Sequence, residues 1–269
     1  MSVVISLEHV AISGDGPTLT LTLSRGQSLA VVGPSGSGKS RLLNVISGAE
    51  KPTRGTIKRH GDVLLAGTEP YSKRTRVQSI AQEDADSDRA TEALLATGLW
   101  DRRQAQAGEL SRSEIAAAQL LPLLAQDHSL GVLDGHLDLL DPWARHRVWQ
   151  LMRQRSNACF VAVTALPELL YNFDAIVVLK QGMVRFAGSP EELLRQTVSH
   201  QVTLETMESK GVRALVEPFK VSIESDGSSH TLKAAEGQEL AARLLLEGYG
   251  DVRFVVSRPP SMAEALEYL

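Results

Sequence analysis

Gly33-Pro34-Ser35-Gly36-Ser37-Gly38-Lys39-Ser40 satisfies G-x-x-x-x-G-K-[ST] at every fixed position, and no other stretch constrains the fold so tightly. A loop of this pattern must bring backbone N–H groups onto an anion. Glycine replaces the side chains that would block the approach, the Lys39 ammonium adds charge, and the Ser40 hydroxyl is offered to Mg²⁺. The flanks agree. Ser28 to Val32 reads as a short buried strand, and Lys39 to Ser47 as a helix stopped by Gly48. The loop therefore delivers its anion to a helix N-terminus, where the dipole favours negative charge. An ordinary glycine-rich turn is the competing reading, and the strand before and helix after weigh against it. The candidate phosphate ligands are Gly33, Pro34, Ser35, Gly36, Ser37, Gly38, Lys39, Ser40 and Arg41, the last in the helix's first turn.

The remaining chemistry has to fit a chain of 269 residues with a net charge of −4. That charge argues against a nucleic-acid binder driven by counterion release. The single cysteine, Cys159, lies in an apolar run and has no internal disulfide partner, so a buried, inert thiol in a reducing cytoplasm is expected. No stretch approaches 18 consecutive apolar residues, and the first residues lack a basic signal-peptide start. At a membrane, another chain would have to supply the span.

Along the chain, Ile5 to Val10 and Thr18 to Leu23 alternate like strands around a turn at Gly14-Asp15-Gly16-Pro17, and Thr56 to Lys58 adds a third strand. Ser79 to Gln82 reads as the end of a core strand followed by glutamine. Glu83 to Asp88 is an acidic run, read as a solvated loop, and Thr91 to Trp100 as a helix. Ser111-Arg112-Ser113-Glu114 forms a capping box ahead of the helix Ile115 to Leu124. Ser129 to Asp134 is a buried strand ending in a carboxylate, and Asp141-Pro142 starts a helix running to about Ser156. Strands follow at Cys159 to Thr164 and Ala175 to Leu179, and Ser189-Pro190 opens another helix. Beyond about His200 come strands at Val212 to Val216, Val221 to Glu224 and Val252 to Val256. A turn falls at Asp226-Gly227, a helix runs from Gly237 to Leu246 before Gly248, and a second capping box stands at Ser261 to Glu264. Strands alternating with helical patterns indicate a parallel sheet with helices on its faces.

Together these pieces resemble the nucleotide-binding subunit of an ABC transporter over residues 1 to about 195. Gln82 falls where that family has its Q-loop glutamine, and Leu110 to Glu114 where it has its L-S-G-G-Q signature. Leu130 to Asp134 resembles the Walker B strand, Leu140-Asp141-Pro142 the D-loop, and Asp174 to Gly188 the closing hairpin. The tail, ending Pro260-Ser261-Met262-Ala263-Glu264-Ala265-Leu266, is similar to that of ABC-2-type exporter ATPases. The resemblance implies an α/β P-loop NTPase (RecA-like) fold: a parallel-sheet core, an antiparallel β subdomain and a shortened helical subdomain at 1–200. A small α+β extension is expected at 201–269. It also implies ATP and Mg²⁺ as cofactors, with Ser40, Gln82 and Asp134 around the metal. For Asp134 and Gln82, a plain strand-end carboxylate and an exposed polar residue remain the competing readings.

Where the chain departs from the family, it loses hydrolytic parts. The family's water-activating glutamate, next after the Walker B aspartate, is here Gly135, and its switch histidine is Ala165. No residue of the chain is therefore assigned as catalytic. His136 stands one position on, as a substitute base or a structural histidine. Arg112 and Ser113 replace the signature glycines, Arg112 either adding a cation or being a solvated first-turn residue. No aromatic stands near Ile12-Ser13 to stack on adenine. The stretch from Gln82 to Ser111 is short for the helical subdomain. The resemblance implies transmembrane transporter subunits and a second, intact ABC ATPase as partners in a heterodimer, no nucleic acid, and a cytoplasmic position on the inner face of the membrane.

Overall fold

The computed structural model describes residues 2–12, 17–67, 71–197, 200–206, 216, 222–226, 229–234, 237–246, 252–258 and 261–269. They fall into two compact units, Met1–Pro190 and Glu191–Leu269. In the first unit the chain runs β1 (Val3–Ala11), β2 (Leu19–Ser24), β3 (Ser28–Val32), α1 (Lys39–Ser47), β4 (Arg54–Arg59) and β5 (Val63–Leu65). It continues with α2 (Val77–Ala81), α3 (Ser87–Thr97), α4 (Arg112–Ala125), β6 (Leu130–Asp134), α5 (His136–Leu139) and α6 (Pro142–Gln154). The hairpin side is β7 (Cys159–Val163), β8 (Ala175–Lys180) and β9 (Met183–Gly188).

Every residue of β3 and β7 is buried, and apart from Ser28 both are apolar runs rather than alternating ones, as a parallel sheet covered on both faces requires. They lie in a six-stranded sheet ordered β5-β6-β7-β3-β8-β9, parallel except for the closing β8–β9 hairpin. Parallel pairing has a functional consequence. The carboxyl ends of β5, β6, β7 and β3 share one edge, where α/β sheets bind ligands. From β1, β2 and β4 the chain builds a separate antiparallel sheet, ordered β2-β1-β4. Its inward residues Ile5, Leu7, Leu19 and Leu23 join Leu42, Val45 and Ile46 of α1 in one core. A side chain bolts the two together as well. The Arg59 guanidinium, at the end of β4, donates to the Ile46 carbonyl (2.6 Å) and to the Val45 carbonyl in the last turn of α1.

Two expectations are corrected here. Ser79 to Gln82 is not a strand end: Val77–Ala81 is a one-turn helix, and Gln82 is its exposed C-cap. The strand beside β6 is β5, whose three residues are too few to show a period. The acidic run is not wholly loop, because Asp86 caps α3 by accepting from the Asp88 and Arg89 N–H groups, so that helix starts at Ser87. Both capping boxes are present, at Ser111/Glu114 and Ser261/Glu264.

In the second unit, β10 (His200–Thr206), β11 (Ser222–Asp226), β12 (Ser229–Ala234) and β13 (Val252–Arg258) form an antiparallel sheet ordered β11-β12-β10-β13. The unit also holds α7 (Pro190–Thr197), α8 (Gly237–Leu246) and α9 (Met262–Tyr268). Val202, Leu204 and Leu232 from the sheet meet Leu240, Ala241 and Leu244 of α8 in its core. The α+β character agrees with expectation, while β10 and β12 were not anticipated. The expected turn at Gly14 to Gly16, position 13, most of the expected strand at 212–216, Gly227, Gly248 and Pro260 lie outside the described residues.

Candidate functional site

The loop between β3 and α1 is built for close approach. Gly33 has φ +149°, and a Cβ there would collide with the Leu179 carbonyl oxygen and stand 2.7 Å from the Ser37 hydroxyl. Only glycine lets the loop lie on the β8–β9 hairpin, whose Gly182 N–H donates to the Ser37 carbonyl (3.1 Å). Ser37 is buried, and its hydroxyl has no partner among the described residues. Pro34, Ser35 and Gly36 form the exposed rim. Gly38 caps α1 in the left-handed region and accepts from the Leu42 N–H, leaving the Lys39, Ser40 and Arg41 N–H groups as first-turn donors. The Arg41 side chain turns away to Glu50 (2.7 Å), so its contribution to the cradle is its backbone N–H.

Two charged groups converge on this loop. Lys39 Nζ donates to the Gly33 and Pro34 carbonyls (2.8 and 2.9 Å), which suspends the ammonium over the cradle with one of its three donors uncommitted among the described residues. Ser40 Oγ donates to Asp134 Oδ2 at 2.9 Å, across 94 positions of sequence. This contact brings together two of the three expected metal ligands at the end of β6. No hydrogen bond links Gln82 to them among the described residues: β5, not α2, runs beside β6, and it leads to Ala66 and Gly67, where the Ala66 N–H continues the ladder to the Val132 carbonyl. A glycine cradle that a Cβ would fill, an uncommitted ammonium N–H and a hydroxyl–carboxylate pair fit a phosphate chain with its divalent cation.

Beside Asp134 stands Gly135, and Ala165 follows β7, the two positions at which a glutamate and a histidine were expected from the resemblance. Gly135 adopts φ +72° as the N-cap of α5, and a Cβ there would meet nothing within 4 Å. His136 does not take over as a base. It is 4% exposed, with Nε2 2.9 Å from the Gly67 carbonyl and Nδ1 buried without a partner among the described residues. A carbonyl only accepts, so Nε2 carries the proton and the ring is tied into the fold. Ala165 is exposed, and its N–H donates to Asp138 Oδ2 (2.7 Å) while Thr164 Oγ1 donates to Asp138 Oδ1 (2.6 Å). Asp138 thus clamps the loop after β7, a role that sequence reasoning missed. Its only signal was an acidic residue between Asp134 and Asp141. Asp141 itself caps α6, accepting from the Trp143 and Ala144 N–H groups (2.9 Å each).

At the altered signature, Ser111 caps α4 and Glu114 reaches back to the Ser111 N–H (2.8 Å). That backbone hydrogen bond, helped by the Ser111 hydroxyl and the Arg102 charge, holds the Glu114 carboxyl below its usual range. Arg112 is exposed. Ile12, at the position of the family's stacking aromatic, is buried, with Cγ2 against Gly38.

Residues 17–137 match the ABC transporter family. Nod factor export ATP-binding protein I of Rhizobium sp. (strain N33) is 25% identical over 91% of this chain and 88% of its own length. The thiamine import ATP-binding protein ThiQ of Brucella abortus is 28% identical over 65% of this chain and 83% of its own. Among solved structures, an ATP-binding subunit of an ABC transporter superposes with a TM-score of 0.60 at 18% identity, over 72% of this chain and 92% of that one, which bears on the fold. No helix among the described residues is long and apolar enough to cross a membrane. With the phosphate loop on β3, the carboxylate on β6 and these relatives, residues 17–137 carry an ABC transporter domain and the chain as a whole is similar to ABC transporter ATP-binding proteins.

Proposed function

We propose that the chain is the ATP-binding subunit of an ABC transporter, impaired in hydrolysis, working opposite a second, intact ABC ATPase subunit and beneath transmembrane subunits at the cytoplasmic face of the membrane. The observation that carries this reading is the coexistence, on one sheet edge, of a complete phosphate cradle with Gly135 and Ala165. Lys39 and the first-turn N–H groups hold the phosphates. Ser40 and Asp134 are the residues that would hold Mg²⁺, which when bound offsets phosphate charge; Gln82 has no hydrogen bond to either among the described residues. Loss of a positioned general base removes about 10²–10⁴ in rate. Ile12 offers no π-face, so recognition rests on the phosphates rather than the base.

One feature favours a protein partner. Leu139 and Trp143 flank the Asp141 turn with 43% and 74% of their surfaces exposed, unusual for apolar side chains next to a ligand edge. The export-linked relatives also align along nearly the whole chain, tail included, which favours export over import. Purification of the native complex with its bound nucleotide tests the reading. The expected result is a mixed pair of ATPase subunits with membrane subunits, and ATP binding that Lys39→Ala abolishes. Fast turnover by this chain alone, abolished by Lys39→Ala, would instead make it a genuine ATPase and refute the impairment.

A further inference from the structure

Both polar groups of the Gly67 peptide are committed to distant parts of the fold. Its carbonyl faces His136 Nε2 (2.9 Å), next but one to Asp134. Its N–H donates to the Gln119 carbonyl of α4 (3.1 Å). Pro122 lies inside α4, where it deletes the ladder N–H that the Ala118 carbonyl, one residue before Gln119, would have received. α4 is the helix capped by Ser111, and its first turn carries Arg112 and Ser113.

The histidine is an expensive way to hold a carbonyl. Its ring is 4% exposed and leaves Nδ1 buried without a donor among the described residues. An apolar side chain of similar volume would avoid that cost, so the retained group calls for a role beyond filling space. The geometry points to His136 as a positioning residue: through the Gly67 peptide it couples the Asp134 end of the nucleotide pocket to helix α4, so that ligand held at Lys39, Ser40 and Asp134 is felt at the Ser111 end. This rests on the nucleotide-binding reading above and adds to it a route specific to these side chains. His136 touches no ligand. It acts on the backbone that joins two ligand-facing segments, one at the pocket and one at the face offered to a partner subunit.

Hydrogen–deuterium exchange of the full chain, with and without Mg-ATP, tests the coupling, while Mg-ATP affinity is measured on the same samples by calorimetry. In the parent, Mg-ATP is expected to slow amides of 64–67 and of the first half of α4 by roughly fivefold or more, the lower range of site-to-site coupling. His136→Leu, which keeps the volume but lacks the donor, should bind Mg-ATP within about threefold of the parent yet lose the slowing in α4. His136→Gln, which places an amide N–H near the Nε2 position, should restore it. Pro122→Ala approaches the same link from the α4 side and should weaken the response without touching the pocket, which keeps the test open should His136→Leu not fold. Binding with undiminished slowing in both His136→Leu and Pro122→Ala overturns the coupling, as does parent binding without slowing. Absence of binding in the parent overturns the nucleotide reading, and the coupling with it.

Discussion

Placing glutamate at position 135 and histidine at 165 should raise ATP hydrolysis, but by less than a simple count of missing groups suggests. A positioned general base supplies about 10²–10⁴ in rate, or roughly 2.7–5.5 kcal/mol of barrier. The obstacle is the backbone. Gly135 sits at φ +72°, where a side chain costs about 1–2 kcal/mol and points along a left-handed direction. Its N–H donates to the Val163 carbonyl (3.2 Å) and its carbonyl accepts from the Asp138 N–H (3.2 Å), so the peptide cannot swing freely to re-aim a glutamate. That cost falls on folding rather than on the barrier, so the double variant is expected to gain at most the roughly 10²–10⁴-fold of a positioned base, and Gly135→Glu alone less, since both groups act on one water. Gly135→Ala isolates the backbone term. No atom lies within 4 Å of its Cβ, so its whole effect is conformational, an expected loss of about 1–2 kcal/mol, read as a fall in Tm of about 2–8 °C. The assay is phosphate release at saturating Mg-ATP in the assembled complex, with Lys39→Ala as the blank. A double variant no faster than the parent would show that missing side chains do not set the limit. A neutral Gly135→Ala would remove the premise about the backbone.

Mg-ATP at a hundred times its Kd should add about 2.7 kcal/mol to the stability of the native chain, a rise of about 5–10 °C in Tm, and Lys39→Ala should abolish it. Ser111→Ala should cost about 0.5–2 kcal/mol in chemical denaturation, since it removes the cap of α4. The Glu114 carboxyl, held down by the Ser111 N–H, titrates lower in the folded than in the unfolded chain. Its contribution is therefore present above its usual value of 4.5 and lost as pH falls through the lowered folded value, and Glu114→Gln should flatten that acid limb of the stability profile. Burial pushes the Cys159 thiol up to about 12, so a thiol reagent at neutral pH should label it no faster than the chain unfolds; rapid labelling of the native protein would contradict its burial.

How much was legible depended on whether local chemistry or tertiary pairing made the element. The phosphate loop, both capping boxes and the Asp141-Pro142 helix start are written in adjacent residues, because their hydrogen bonds close within a turn. Gln82 misled for the opposite reason. Val77, Ile80 and Ala81 are buried whether the segment is a strand end or one helical turn, and five residues are too few for a period to choose. The three residues of β5 become a strand only by pairing with β6. Asp138 was silent because its partners, Thr164 and Ala165, lie on another strand end. Ser40 and Asp134 were legible as candidates from the family's order, yet their contact needed the sheet to align β3 with β6.

Arg59 leaves one consequence for motion. Its guanidinium seals the last carbonyls of α1 from the end of β4, at the opposite pole of that helix from Lys39. A helix gripped by a phosphate chain at its head and by a neighbouring sheet at its tail has no freedom to roll independently of either. Any rotation that ligand imposes on α1 must carry β1, β2 and β4 along with it, making the antiparallel layer a lever arm whose fulcrum is the phosphate loop.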